Sequence, residues 1–105
     1  MNVLKTSAIV LALGAVNVWA GADEGKEIFT KSCKTCHGAD GQGNPAIAKM
    51  MKVEFKSLSS SEIQSQSDAD LKGVIAKGKG KMKPVKSVNA KQADDVIAYL
   101  RTLKK

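Results

Sequence analysis

Aromatic side chains are scarce in this 105-residue chain, which has one Trp, one Tyr and two Phe. Histidine occurs once, cysteine twice and proline twice, and ten acidic residues stand against 17 Lys and Arg. The apolar run Ala8–Val16 is broken by Gly14 and falls well short of the roughly 20 residues a membrane-spanning helix needs. Each shortage excludes something. The length supports one domain and rules out a multidomain enzyme. One His and no obvious carboxylate pair leave little for acid–base or nucleophilic catalysis. Few aromatics mean a thin apolar core, which in a chain this small calls for a disulfide, metal or cofactor as a staple.

The N-terminus reads as a targeting segment. Met1–Lys5 carries one Lys, Ala8–Val16 is apolar, and Val18-Trp19-Ala20 and Ala20-Gly21-Ala22 each offer small residues at the −3 and −1 positions of a cleavage site. Residues 1–20 are expected to be a secretory signal peptide, with a second cleavage site after Ala22, and residues 21–105 an exported, periplasmic domain. The alternative is an uncleaved signal serving as an anchor; otherwise the protein is not integral to the membrane. Cleavage after residue 20 leaves 85 residues with 16 basic and ten acidic side chains, a net +6, and only Phe29, Phe55 and Tyr99 as aromatics. Export makes nucleic acid an improbable partner despite the positive charge, and a monomer is expected.

The remaining pattern is helical. Asp23 and Glu24 open a candidate helix that runs through Ile28, Phe29 and Ser32 to about Cys36. Gly38–Pro45, with three glycines and a proline, is a loop, and Ala46–Lys52 a short helix. Residues 57–67 are Ser- and Gln-rich, either loop or a short helix around Ser60–Gln64. Ser67 and Asp70 resemble a capping box ahead of the Leu71, Val74, Ile75 stripe, which Gly78 can stop. Asn89 and Gln92 start a last helix with Ala93, Val96, Ile97, Leu100 and Leu103 on one face, while Asp94 and Asp95 are expected to face solvent. No stretch alternates with period two, so the expected class is all-α, with three to five short helices.

Both cysteines fall in Cys33-Lys34-Thr35-Cys36-His37. A thioredoxin-like pair needs a βαβ context, structural zinc needs four ligands where this chain offers two Cys and one His, and a disulfide across two residues closes too small a loop to stabilise much. The remaining reading is covalent haem c: thiols at i and i+3 project to one side, where they can add to the two vinyl groups of a porphyrin, and His37 follows at once as an axial iron ligand. One haem would supply the apolar surface that the missing aromatics do not.

With these residues in place, the chain resembles the small bacterial monohaem class I cytochromes c over about residues 23–103. The order is similar as well as the pentapeptide: a first helix with Gly25 and Phe29, then C-x-x-C-H, a Gly-rich loop with Pro45, a Lys/Gly loop with Met82, and a last helix with Val96 and Tyr99. The resemblance implies that short helices wrap around one haem and that the first and last helices cross at Gly25 and Phe29 against Val96 and Tyr99. It further implies that the Pro45 carbonyl accepts the Nδ1–H of His37 and that Ile47 packs on the haem edge. A bond of the first kind fixes the tautomer of a ligating histidine.

The sixth iron ligand cannot be a second His. Methionine is the natural candidate, and His/Met ligation raises the reduction potential. Met82 lies 45 residues after His37 in a segment that looks like the family's Met loop. Met50 and Met51 follow His37 by only 13 and 14 residues and read better as core filler. One departure from the family stands out: Lys83 separates Met82 from Pro84, so the loop must be braced differently, and Lys79, Lys81 or Lys83 becomes a competitor for iron at high pH. Lys72–Lys91 holds seven lysines and no acidic residue. Of these, Lys77, Lys79, Lys81, Lys83 and Lys86 would surround the haem edge and steer redox partners with acidic docking surfaces. The resulting expectation is a periplasmic one-electron carrier and not an enzyme. The alternatives are a gas- or ligand-binding haem protein with a labile sixth site, and a haem subunit of a larger oxidoreductase complex.

Overall fold

A computed structural model describes residues 21–105; the expected signal peptide, residues 1–20, lies outside the described residues. Six helical segments follow one another: α1 over 21–32, α2 Lys34–His37, α3 Pro45–Met51, α4 Ser61–Gln64, α5 Asp68–Lys77 and α6 Ala90–Thr102. Among the described residues there is no strand, only an isolated antiparallel bridge between Lys79 and Met82. No described helix is long and apolar enough to cross a membrane.

Local chemistry places most boundaries. The side chain of Asn44 accepts from the backbone N–H groups of Ala46 and Ile47, Pro45 occupies the first turn of α3, and Lys52 ends it in a left-handed conformation (φ 56°). Ser60 accepts from Ile63 N, so the Ser-rich stretch holds a one-turn helix rather than plain loop. Ser67 caps α5 through Asp70 N at 3.0 Å. A reciprocal capping box opens α6: Asn89 accepts from Gln92 N at 2.8 Å, and Gln92 accepts from Asn89 N at 2.9 Å. The helix expected to run unbroken to Cys36 turns at Cys33 (φ −122°), which makes α2 a separate segment. The ladder nevertheless carries across the break, from Cys33 N to Phe29 O at 2.9 Å and from His37 N to Cys33 O at 3.0 Å.

The core gathers Phe29, Leu58, Leu71, Ile75, Val88, Ala93, Val96, Ile97 and Leu100. Phe29 is 2% exposed, and its ring packs tilted against Tyr99 with centroids 5.4 Å apart. Beside this contact Gly25 lies on the backbone of Asp95 and Val96, where an added Cβ would overlap the Asp95 carbonyl. The crossing of α1 on α6 thus has the form the resemblance implies. α5 packs along α6 on its other side through Leu71 and Ile75. At about 1.5–3 kcal/mol per buried large apolar side chain, these contacts carry most of the fold's stabilisation.

Two expectations need correction. Asp95 does not face solvent: it is 6% exposed, and both carboxylate oxygens accept from Lys91 Nζ at 2.8–2.9 Å, an i,i+4 pairing that lets the chain bury the charge at the helix crossing. Met50 is not core filler: α3 turns it outward, 72% exposed. Sequence reasoning also missed a polar clamp. The guanidinium of Arg101 donates to Gln64 O (2.9 Å), Gln66 O (2.8 Å) and Asp68 Oδ1 (2.6 Å), while Gln64 Nε2 donates to Leu58 O and Leu100 O, both at 2.8 Å. This ties the α4–α5 connection to the end of α6.

Candidate haem-binding site

α2 is a single turn held from below. Its terminal carbonyls are taken by the glycine-rich loop that follows: Gly43 N donates to His37 O (2.7 Å), Asn44 N to Cys36 O (2.9 Å) and Asn44 Nδ2 to Thr35 O (3.0 Å). With its C-terminal end satisfied this way, the turn presents Cys33, Cys36 and His37 to a cavity between α2, the 53–56 stretch and the 79–87 loop.

The cavity has two adjoining lobes of about 620 Å³ and 470 Å³. Cys33, His37, Glu54, Phe55, Lys79 and Met82 line both. Cys36, Met51 and Pro84 line the larger lobe with Lys81, Lys83 and Lys86. The smaller lobe reaches the core at Phe29, Leu71 and Leu100. These dimensions suit a large, flat, mostly apolar ligand.

Burial, and secondarily the neighbouring Cys36, push the Cys33 thiol up to about 11. A redox-active thiol shows the opposite shift, so Cys33 lacks the character of a thiolate redox centre. Burial also lowers the pKa of His37, which favours the neutral imidazole that binds metal. The His37 ring lies 5.7 Å from that of Phe55, tilted by 57°. Gly43 (φ 98°) makes room for Phe55, whose Cβ would stand 2.8 Å from a Cβ at residue 43. Phe55 is the site residue that sequence reasoning overlooked; its signal was being one of only three aromatics after residue 20.

Met82 sits on a tight hairpin. Lys79 N donates to Met82 O (2.9 Å) and Met82 N to Lys79 O (3.0 Å) around a turn with Gly80 at φ 59°. Gly78 (φ 78°) lies so close to the Met82 carbonyl that a Cβ there would collide with it. The structure therefore brings Cys33, Cys36, His37 and Met82 to one cavity. It does not bring Pro45 or Ile47 there, since neither lines either lobe. The expected bond from His37 to the Pro45 carbonyl is not formed, and His37 Nδ1 is buried without a hydrogen-bond partner. Pro45 is the first residue of α3. α3 instead offers Met51 to the larger lobe.

Two thiols, one neutral imidazole and one thioether around a largely apolar cavity suit a haem better than a bare ion. Among the described residues no group of three His, Cys, Asp or Glu is placed to hold a metal by itself. Comparisons with known proteins agree. The family model described as Cytochrome c matches residues 22–104. Among solved structures, the c-type cytochrome KustC0563 is similar with a TM-score of 0.66 and 25% identity, over 77% of this chain and 98% of that one. A search of curated proteins returns no match. The chain belongs to the cytochrome c family, and its Cys33 and Cys36 have the spacing of covalent haem c attachment.

Proposed function

We infer the function from family membership, which implies haem-based electron transfer, since members of the cytochrome c family are usually electron carriers rather than enzymes. We propose that this protein is a periplasmic one-electron carrier whose haem iron is ligated by His37 and Met82. The observation that carries this reading is that His37 and Met82, from two different elements, both line both lobes of the cavity that Cys33 and Cys36 border. Bound through the two cysteines, the haem supplies a one-electron Fe(III)/Fe(II) couple. The chain's own residues hold it and set its potential. His37 offers a neutral imidazole from a turn anchored at both ends, and Met82 offers a thioether that favours the reduced state. Export is supported by the character of residues 1–20.

Lys79, Lys81, Lys83 and Lys86 border the larger lobe and are exposed, and Lys77 is exposed nearby in sequence. None of the five forms an ion pair among the described residues, whereas Lys72 pairs with Asp94 and Lys91 with Asp95. This unneutralised charge favours an acidic redox partner docking at the cavity mouth.

A redox titration with spectra of both states tests the reading. The oxidised protein is expected to show the weak red-edge charge-transfer band of Met-ligated ferric haem, and Met82→Ala to abolish it. An unchanged band in that variant refutes Met82 as the ligand. Rapid binding of carbon monoxide to the ferrous wild type at neutral pH would favour the ligand-binding alternative.

A further inference from the structure

The hairpin that carries Met82 is nearly self-sufficient in its hydrogen bonding. Its two backbone bonds join Lys79 and Met82 to each other. Behind it, Val85 N donates to Ile75 O (2.9 Å), and Ser87 meets Ser32 only at 3.5 Å. Among the described residues, one hydrogen bond ties the tip of this hairpin to another element: Lys81 Nζ donates to the backbone carbonyl of Met51 at 2.8 Å.

Both ends of that bond are suited to it. Met51 is the last residue of α3, and its carbonyl is one of those a helix end leaves without an intrahelical donor. The carbonyls of Ala48 and Lys49 are already taken by Lys52 N and Val53 N. An ammonium on the Met51 carbonyl meets an unpaired acceptor at the negative end of the helix. Lys81 and Met51 also border the same larger lobe. Lys83, the residue inserted between Met82 and Pro84, makes no such bond among the described residues, and Pro84 packs back toward Gly78 instead.

We infer that Lys81 is a positioning residue: its bond to the Met51 carbonyl latches the Met82 hairpin onto α3 and keeps the thioether from leaving the iron. This rests on Met82 as the axial ligand. The latch supplies the brace that a proline directly after the methionine would otherwise contribute. It assigns Lys81 a role apart from Lys77, Lys79, Lys83 and Lys86, whose side chains form no hydrogen bond or ion pair among the described residues, and from Lys72 and Lys91, which pair with Asp94 and Asp95.

The holoprotein tests this through two readouts that surface charge does not move: the red-edge band of the ferric form, and the rate at which carbon monoxide binds the ferrous form. Carbon monoxide is neutral, so its binding reports how often the sixth position opens. Lys81→Gln is expected to weaken the band and speed carbon monoxide binding on the order of tenfold, the scale of one charge-assisted hydrogen bond after screening. Lys81→Arg, which keeps a donor of similar reach, restores wild-type behaviour at least in part. Lys77→Gln removes one charge of the same basic stretch at an exposed residue that lines neither lobe, and leaves both readouts unchanged. If Lys81→Gln is indistinguishable from wild type, or Lys77→Gln matches it in effect, the latch is overturned while Met82 ligation stands. If the wild type lacks the band, Met82 ligation falls and the latch with it.

Discussion

Gly25 of α1 rests on the carbonyl of Asp95 in α6, with no space for a side chain between them. Backbone meets backbone, so neither side can yield by a rotamer change. In an ordinary helix interior, Gly→Ala gains about 1 kcal/mol. At this crossing the overlap reverses the sign, and Gly25→Ala is expected to cost about 3 kcal/mol, the upper end for overpacking. That corresponds to a fall in Tm of more than roughly 10 °C. Gly73 in α5 provides the contrast, since an added Cβ there meets nothing within 4 Å. Gly73→Ala is expected to raise Tm slightly, and thermal melts of the two variants check both signs.

Arg101→Met keeps the length of the side chain but removes the donors to Gln64 O, Gln66 O and Asp68. The expected loss is about 2 kcal/mol, since two backbone acceptors and a carboxylate lose a charged donor together. Urea denaturation of the holoprotein should show a lower midpoint at an unchanged slope. No change in midpoint would mean that water replaces the guanidinium without cost.

Lys91 holds the buried carboxylate of Asp95, and the hydrogen bond to Asp95 raises the pKa of Lys91 above its ordinary 10.5. A raised folded pKa contributes stability that is fully present below 10.5 and is lost as pH rises through the higher folded value. The melting temperature of the wild type is therefore expected to fall above pH 10.5 more steeply than that of Lys91→Met, so the two curves converge. Parallel curves would show that the pair contributes nothing through protonation.

The five lysines that form no ion pair among the described residues predict a salt-sensitive association step. Lys79→Glu with Lys83→Glu is expected to slow electron exchange with an acidic partner on the order of tenfold at low ionic strength. The difference should vanish near 1 M salt, where screening acts over about 3 Å. Stopped-flow rates across a salt series provide the measurement. A variant as fast as wild type at low salt would remove the basic face from the docking step.

Much of the site was legible because its residues are neighbours in the chain. Cys33, Cys36 and His37 need only one helical turn to share a side, so their chemistry follows from spacing. Helix starts at Ser67 and Asn89 were legible for the same reason, since a cap is a contact over three residues. Asp95 was misread because burial of a charge depends on what lands on it from α1, which no local pattern records. Met50 was misread because a seven-residue helix has too few turns for its apolar pattern to decide which face the fold covers. Phe55 and Arg101 went unnoticed for want of a motif, although Arg101 is the only arginine in the chain.

By itself, then, the sequence determined the class of helices, the haem-attaching pentapeptide, the basic stretch and the export signature, all properties of short segments. Tertiary structure alone decided that Met82 shares a cavity with His37 and that Phe55 backs the imidazole. It also decided that Pro45 and Ile47 stay outside and that Lys81 reaches across 30 residues to the end of α3. The division has a physical cause. Spacing within a turn or two is set by backbone geometry, whereas contacts between distant segments depend on how a thin core closes.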